Sequence, residues 1–211
     1  MPPAPTRIVL RPYASALPLG FLAFGIGMLM LGGLANGWLH PSDQHTVGLL
    51  LAAFVFPLET ICAVFAFLSR DTFGATGLGL FSTSWLALGL ADMSASQGSV
   101  SRAIGLYEFG FACAVVLLAA AAMVGKPLIG TIMLIASARA VCAGVNEFGG
   151  PHAFVTAAGW LGVAIFAIAM YGGLAFLLED VHKDAVLPVF RLGLSKEAVE
   201  GDDEAGIRQA L

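Results

Sequence analysis

The sequence has 211 residues, of which 58% are hydrophobic and 11% charged, and its mean hydropathy is +0.88. Soluble domains carry about 25% charged residues, so this chain lacks the polar side chains that cover a water-facing surface, which argues against a soluble enzyme. The net charge of −4 gives no basic footprint for nucleic acid. The composition predicts an integral membrane protein.

The apolar residues fall into runs long enough to cross a bilayer, which takes about 20 residues in a helix. The runs are rich in Gly and Ala and lack the alternation of barrel strands, so we predict an all-α protein with six transmembrane helices. The predicted spans are residues 17–38, 46–69, 73–92, 104–125, 127–146 and 153–178. The first is too long for a signal-peptide core and is expected to be retained. We assign residues 15–190 to a six-helix transport domain, between tails at 1–14 and 191–211.

The basic residues predict the orientation of the bundle. With six crossings both termini lie on one side, and eight of the ten Lys and Arg residues fall there: Arg7, Arg11, Arg70, Lys126, Lys183, Arg191, Lys196 and Arg208. The opposite side has only Arg102, while Arg139 lies inside a span. By the positive-inside rule, we expect cytoplasmic termini in a multi-pass protein of the cell membrane.

The third predicted span carries four side chains on one helical face. Gly74, Gly77, Phe81 and Ser84 follow one another at offsets of 0, 3, 7 and 10 residues. Small residues at this spacing allow close helix packing, which is the interpretation we favour. The alternative is a thin-walled path into which Phe81 projects.

Three ionisable residues lie inside the predicted spans. An arginine near the helix centre costs about 3 kcal/mol to insert, so such residues pair or face water. At about 1.5 Å per residue, Glu108 and Arg139 lie at similar depth. They form a structural bridge, or Arg139 extends outward to the interface, or Arg139 lends positive potential to a vestibule for small anions; these alternatives stay open. Glu59, after Pro57, is either a proton-titrating group or, as we favour, a neutral carboxyl donating a hydrogen bond to a neighbouring helix.

No catalytic or cofactor motif is found. The sequence has no metalloprotease, nucleophile-elbow or phosphate-loop pattern, and its loops are too short for a separate active domain. Cys62, Cys113 and Cys142 lie in apolar runs without metal-ligand spacing. We therefore expect neither an enzyme nor a bound cofactor or metal.

Four segments resemble the acetate uptake transporter family, the succinate–acetate permeases. Residues 15–21, with Phe24 beyond them, are similar to the family signature NPAPLGL, and residues 72–76, with Trp85 downstream, to its third helix. Residues 158–162 with 169–171, and residues 186–189, are similar to its sixth helix and its C-terminal ending. The resemblance covers about residues 15–190.

The resemblance implies a ring-shaped hexamer of six-helix protomers, each with its own path for acetate and related small carboxylates, by a proton-coupled or a channel-like mechanism. It also implies an apolar constriction, whose aromatic members map onto Phe24 and Phe81 and whose third member falls between Leu134 and Ala138. The remaining signature and path residues are Ser15, Leu17, Pro18, Leu19, Gly20, Thr72, Gly74, Gly77 and Ser84.

The polar residues depart from the family pattern while the scaffold is kept. Differences from the usual residues occur at Ser15, Ala16, Glu59, Phe81, Glu108 and Arg139. A carboxylate remains the expected substrate, since Arg139 gives an anion a charged partner. Two alternatives stay open: a channel for a neutral or cationic solute such as urea or ammonia, and a non-transporting membrane scaffold or sensor.

Overall fold

The computed structural model describes residues 14–96, 99–182 and 185–192. Within these ranges there is no strand, and six helices are long and apolar enough to cross a membrane. We name them span 1 to span 6: Leu17–Ala35, Pro41–Leu68, Thr72–Ser94, Arg102–Met123, Pro127–Glu147 and Ala153–His182. The prediction of an all-α, six-helix membrane protein is confirmed. The tail residues 1–13 and 193–211, with four of the eight basic residues used for orientation (Arg7, Arg11, Lys196 and Arg208), lie outside the described residues, and so does Lys183.

The helix boundaries follow local capping chemistry. Span 3 begins after Asp71, whose carboxylate accepts a hydrogen bond from the Gly74 N–H at 2.9 Å. Span 5 begins with Pro127, which needs no N–H at this position. It is followed by Gly149, whose φ of +79° allows the chain to reverse direction. Span 2 begins at Pro41, five residues earlier than predicted, because its first turn, Pro41–Asp43, is a 3-10 helix.

Short loops join the six helices, so consecutive helices run in opposite directions. The start of span 1, the loops after spans 2 and 4 and the end of span 6 therefore lie at one end of the bundle. We call this the termini end and the other the opposite end. Spans 1 and 6, 2 and 3, and 4 and 5 pack as pairs, and span 5 also contacts span 6. A Cβ atom at Gly48 would lie 2.5 Å from the Gly89 carbonyl, and one at Gly89 2.6 Å from the Gly48 carbonyl. Spans 2 and 3 therefore touch backbone to backbone.

Span 2 changes its helical winding halfway along. Residues Leu51–Val55 form a π-helical turn, in which the Phe56 N–H bonds to the Leu51 carbonyl. Pro57, two residues after the end of this turn, has no N–H to donate. The wide turn rotates the rest of the helix, Phe56–Leu68, relative to its first part. It therefore sets the direction of Glu59.

The outer surface of the bundle is apolar. Large hydrophobic side chains are exposed on spans 2 and 4: Leu49, Leu50, Phe54, Ile61, Val64, Phe65, Phe67, Leu68, Leu106, Val116, Leu117 and Met123. Water-soluble monomers do not expose apolar surface on this scale. The molecule is therefore built for contact with lipid or with further apolar protein.

Residues 185–192 form a strap across the termini end. The Tyr171 hydroxyl donates to the Pro188 carbonyl at 2.7 Å, and the Leu192 N–H to the Gly125 carbonyl at 3.0 Å. The Arg191 guanidinium binds both carboxylate oxygens of Glu179, at 2.7 and 3.0 Å. The strap therefore fixes span 6 to the loop between spans 4 and 5.

Candidate functional site

Two cavities lie inside the bundle, one above the other. The termini-end cavity, of about 50 Å³, is lined by Leu17, Gly20, Phe21, Phe24, Glu59, Asp71, Phe73, Gly74, Gly77, Leu78, Phe81, Lys126, Ile129, Ile132 and Met133. The opposite-end cavity, of about 10 Å³, is lined by Met28, Phe81, Ser84, Trp85, Leu88, Glu108, Phe111, Ala136, Arg139 and Ala140. Phe81 belongs to both linings. Phe81 is therefore part of the wall between the two cavities.

An aromatic cluster fills the boundary between the cavities. The rings of Phe24 and Phe81 meet edge to face with their centroids 4.7 Å apart, and the side chains are 8% and 4% exposed. Phe81 also contacts Phe111 at 5.1 Å, and Phe24 contacts Trp85 at 5.8 Å. Both predicted constriction rings therefore point into the bundle and touch each other. We call these four rings the aromatic neck.

Span 5 contributes small and aliphatic side chains beside the neck. Of residues 134–138, all of which the structure describes, Ala136 alone lines either cavity. Leu134 is 43% exposed and faces outward. Ile132 lies one helical turn before Ala136 and packs in the same core cluster as Phe24 and Phe81. The family leucine expected in this window has no counterpart facing the cavities here.

The small residues on the predicted face of span 3 line the cavities. A Cβ atom at Gly77 would meet only the Met133 Cε atom, at 3.5 Å, an ordinary contact. At Gly74 the three nearest atoms belong to the Asp71 carboxylate, which caps the same helix, and the closest lies at 2.5 Å. The packing interpretation that we favoured therefore does not describe Gly77, which has open space beside it. Ser84, on the same face, lines the opposite-end cavity.

The signature residues divide into two groups. Leu17 and Gly20 line the termini-end cavity. Leu19 is 42% exposed on the outer surface, because it lies on the other face of span 1. Pro18 is buried towards span 6, where its carbonyl would lie 3.6 Å from a Cβ at Gly173. These last two residues do not line the path, contrary to the prediction.

Ser15 and Thr72 also lie away from both cavities. The Ser15 hydroxyl accepts a hydrogen bond from the Leu17 N–H at 3.4 Å, at the start of span 1. Thr72 is exposed, and its carbonyl accepts from the Thr76 hydroxyl at 2.7 Å. Both residues occupy helix starts and line neither of the two cavities.

Glu59 is wholly buried in the wall of the termini-end cavity. Neither carboxylate oxygen has a hydrogen-bond partner among the described residues, and neither does the indole Nε1 of Trp85. The two groups are close enough to interact, although their geometry falls short of a hydrogen bond. The predicted donation from Glu59 to a neighbouring helix is therefore wrong, because Trp85 offers a donor and not an acceptor.

Glu108 and Arg139 come together in the wall of the opposite-end cavity, as their similar depth predicted. Within the described ranges they form no ion pair at or below 4.0 Å, and the Arg139 Nε has no hydrogen-bond partner. Arg139 is 8% exposed, so it does not extend outward. Asp92 lies within electrostatic reach and accepts a hydrogen bond from Gln44 at 3.0 Å. The structural bridge is absent, and the guanidinium faces the cavity.

Several cavity-lining residues were not predicted from the sequence. Asp71 and Lys126 lie at the termini-end cavity, where the Lys126 ammonium lies 5.8 Å from the centre of the Phe73 ring. The sequence shows that both residues are charged and lie in loops, but it does not show which loops come together. Phe111 stands three residues after Glu108, on the same helical face, and that spacing was a usable signal. No group of three His, Cys, Asp or Glu within the described ranges is placed to hold a metal ion.

Comparison with known proteins gives matches over most of the chain. A profile of the GPR1/FUN34/yaaH family matches residues 1–193. An uncharacterised protein of Methanothermobacter thermautotrophicus is 25% identical over 190 residues, covering 83% of this chain and 90% of its own. The solved structure of the bacterial acetate channel SatP superposes with a TM-score of 0.75 at 17% identity, covering 84% of this chain and 99% of its own. The six-helix fold is thus shared with SatP, and the chain belongs to the GPR1/FUN34/yaaH family, the acetate uptake transporter family that its sequence resembles.

Proposed function

We propose that this protein carries acetate and related small carboxylates across the cell membrane, through the aromatic neck between its two cavities. The observation that carries the proposal is Arg139: a buried guanidinium that forms no ion pair at or below 4.0 Å among the described residues lines a cavity that borders the neck. Such a group binds a carboxylate by charge-assisted hydrogen bonds. The family membership and the shared fold with a protein described as an acetate channel support the same substrate class.

The neck acts as a dry barrier between two polar ends. An unpaired anion is strongly disfavoured in an apolar medium, and hydrophobic constrictions restrict water and ions. Arg139 and the Ser84 hydroxyl flank the neck on one side, and Lys126 lies at the far wall on the other. A small acid therefore meets one basic residue at each cavity, and the Phe24–Phe81 contact lies between them.

The arrangement in the membrane follows from the same features. Arg70 and Lys126 lie at the termini end, so the positive-inside rule places that end in the cytoplasm. The exposed apolar residues of spans 2 and 4 face lipid or neighbouring protomers. A ring-shaped hexamer, in which each protomer keeps its own path, fits this surface.

A solute panel in proteoliposomes tests the proposed function. We expect radiolabelled acetate and formate to enter protein-containing vesicles about tenfold or more faster than protein-free ones, and succinate to enter more slowly because it is larger. Urea and ammonium fluxes stay at the protein-free level in this account, since neither solute gains from Arg139.

Each other outcome of the panel points to a different function. Faster urea or ammonium flux without acetate flux would replace the proposal with a channel for neutral or cationic solutes, in which an ionised Glu59 would attract the cation. Vesicles impermeable to every solute would leave the scaffold or sensor alternative. The vesicles contain the protein inserted in both orientations, so that uptake and efflux activities are both detected.

A further inference from the structure

Glu59 is the buried group that the path described so far does not use. Its side chain has no exposed surface, both oxygens lack a partner among the described residues, and it lines the cavity that ends at Phe24 and Phe81. A carboxyl group in such a dry site takes up a proton instead of keeping its charge. Glu59 therefore lines the cavity with a carboxyl group that forms no hydrogen bond to the described residues.

The residues around Glu59 leave its carboxyl group without a hydrogen-bond partner on the side of the cavity. Span 3 presents the Trp85 indole N–H, a donor that faces the carboxyl group from the side of the neck. Cys62, one turn further on the same helix, is the nearest titratable neighbour. The charged residues at the cavity wall are Asp71, engaged in capping span 3, and Lys126 at the loop between spans 4 and 5. Spans 1 and 5 contribute only apolar side chains and glycine to this cavity.

We propose that Glu59 determines when and for which solute the termini-end cavity is open: its protonated carboxyl donates a hydrogen bond to the carboxylate of the passing acid, and its ionised form repels that anion. The inference rests on the proposed function. In the donating state, one Glu59 oxygen accepts from the Trp85 N–H and the other carries the proton that Glu59 donates to the acid. The proton stays on Glu59 throughout, so passage of the acid requires no proton transfer.

Exchange of radiolabelled acetate in proteoliposomes at equal pH on both sides tests this role. The range is kept well above the pH at which acetate itself ionises, so that the acetate ion concentration is constant. We expect wild-type exchange, after subtraction of the protein-free rate, to fall about tenfold per pH unit once Glu59 ionises. Glu59→Gln keeps the shape and an N–H donor but cannot ionise, so its exchange stays at the low-pH level throughout.

Two further variants separate charge from hydrogen bonding. Glu59→Leu has neither a charge nor a donor, and we expect a pH-independent exchange about tenfold below that of Glu59→Gln, the loss of one hydrogen bond to a charged group. Glu108→Gln, the matched control, removes the other buried glutamate from the other cavity. We expect it to keep the wild-type fall with pH.

The outcomes distinguish this inference from the proposed function. Exchange that falls equally in wild type and Glu59→Gln, or a flat wild-type profile, would overturn the role of Glu59 and leave acetate transport standing. Wild-type vesicles without acetate exchange at any pH would overturn both. If Glu59→Gln does not fold, infrared spectra of Glu108→Gln protein provide the test: a protonated-carboxyl band that shifts on addition of carbon-13 acetate supports the proposal, and an unshifted band overturns it.

Discussion

Replacing Phe81 with alanine is expected to raise the transport of three- and four-carbon acids relative to acetate by about tenfold. Phe81 lines both cavities and touches Phe24 and Phe111, so removal of its ring joins the two cavities directly. The extra methylene groups of a longer acid then fit into the space that the Phe81 ring fills in the wild type. Competition between unlabelled longer acids and radiolabelled acetate in proteoliposomes measures the change.

The control for this variant is a phenylalanine outside the path. Phe67→Ala removes an equally large ring from the outer surface of span 2, where the side chain is 62% exposed; we expect unchanged selectivity. A buried Phe→Ala change costs about 3–5 kcal/mol of stability, so both proteins are compared only as monodisperse preparations. A folded Phe81→Ala protein with the wild-type preference for acetate would show that the neck does not set solute size.

Replacing Arg139 with glutamine is expected to lower acetate flux by about tenfold or more. A hydrogen bond to a charged group contributes about 1.5–3 kcal/mol, which corresponds to that factor, and the protein offers no second cation at the opposite-end cavity lining. Charge reversal by Arg139→Glu lowers the flux further, because Glu108 and Asp92 already lie nearby. Initial rates of uptake at low acetate concentration give the size of the effect.

Glu108→Gln separates the vestibule role of Arg139 from a structural role. If Arg139 binds the anion, removal of the negative charge of Glu108 preserves or raises acetate flux. Arg139→Gln, Arg139→Glu and Glu108→Gln then all sediment in detergent as the wild type does. If instead the two residues balance each other for stability, Glu108→Gln and Arg139→Gln lose assembly together. That second pattern would remove Arg139 from the transport mechanism.

The sequence was sufficient to predict the scaffold because the bilayer imposes helix length and internal hydrogen bonding. Six spans were found within a few residues, and the similar depth of Glu108 and Arg139 followed from the rise of the helix. Phe24 and Phe81 came from family resemblance, and the structure brings their rings into contact. These features depend on position along a helix axis, which the sequence encodes directly.

Features that depend on rotation about a helix axis were not predictable. The π-helical turn at Leu51–Val55 leaves no sequence signal beyond Pro57, yet it sets the direction of Glu59. Leu19 and Gly20 are adjacent in the signature, but one faces outward and the other lines the cavity. The missing contact between Glu108 and Arg139 depends on side-chain directions, which similar depth does not fix.

If a small acid passes through the termini-end cavity to the Phe24–Phe81 contact, a side chain that fills this cavity must slow its exchange, and two glycines of span 3 allow a matched comparison. Gly77→Leu places a side chain into that cavity, where a Cβ has only Met133 nearby, whereas Gly79→Leu, two residues on, meets nothing within 4 Å and lies outside both linings. Radiolabelled acetate exchange in proteoliposomes is measured for both. We expect Gly77→Leu to exchange acetate about tenfold more slowly than the wild type and Gly79→Leu to match it. Equal rates for the two folded variants would show that acetate does not pass through this cavity.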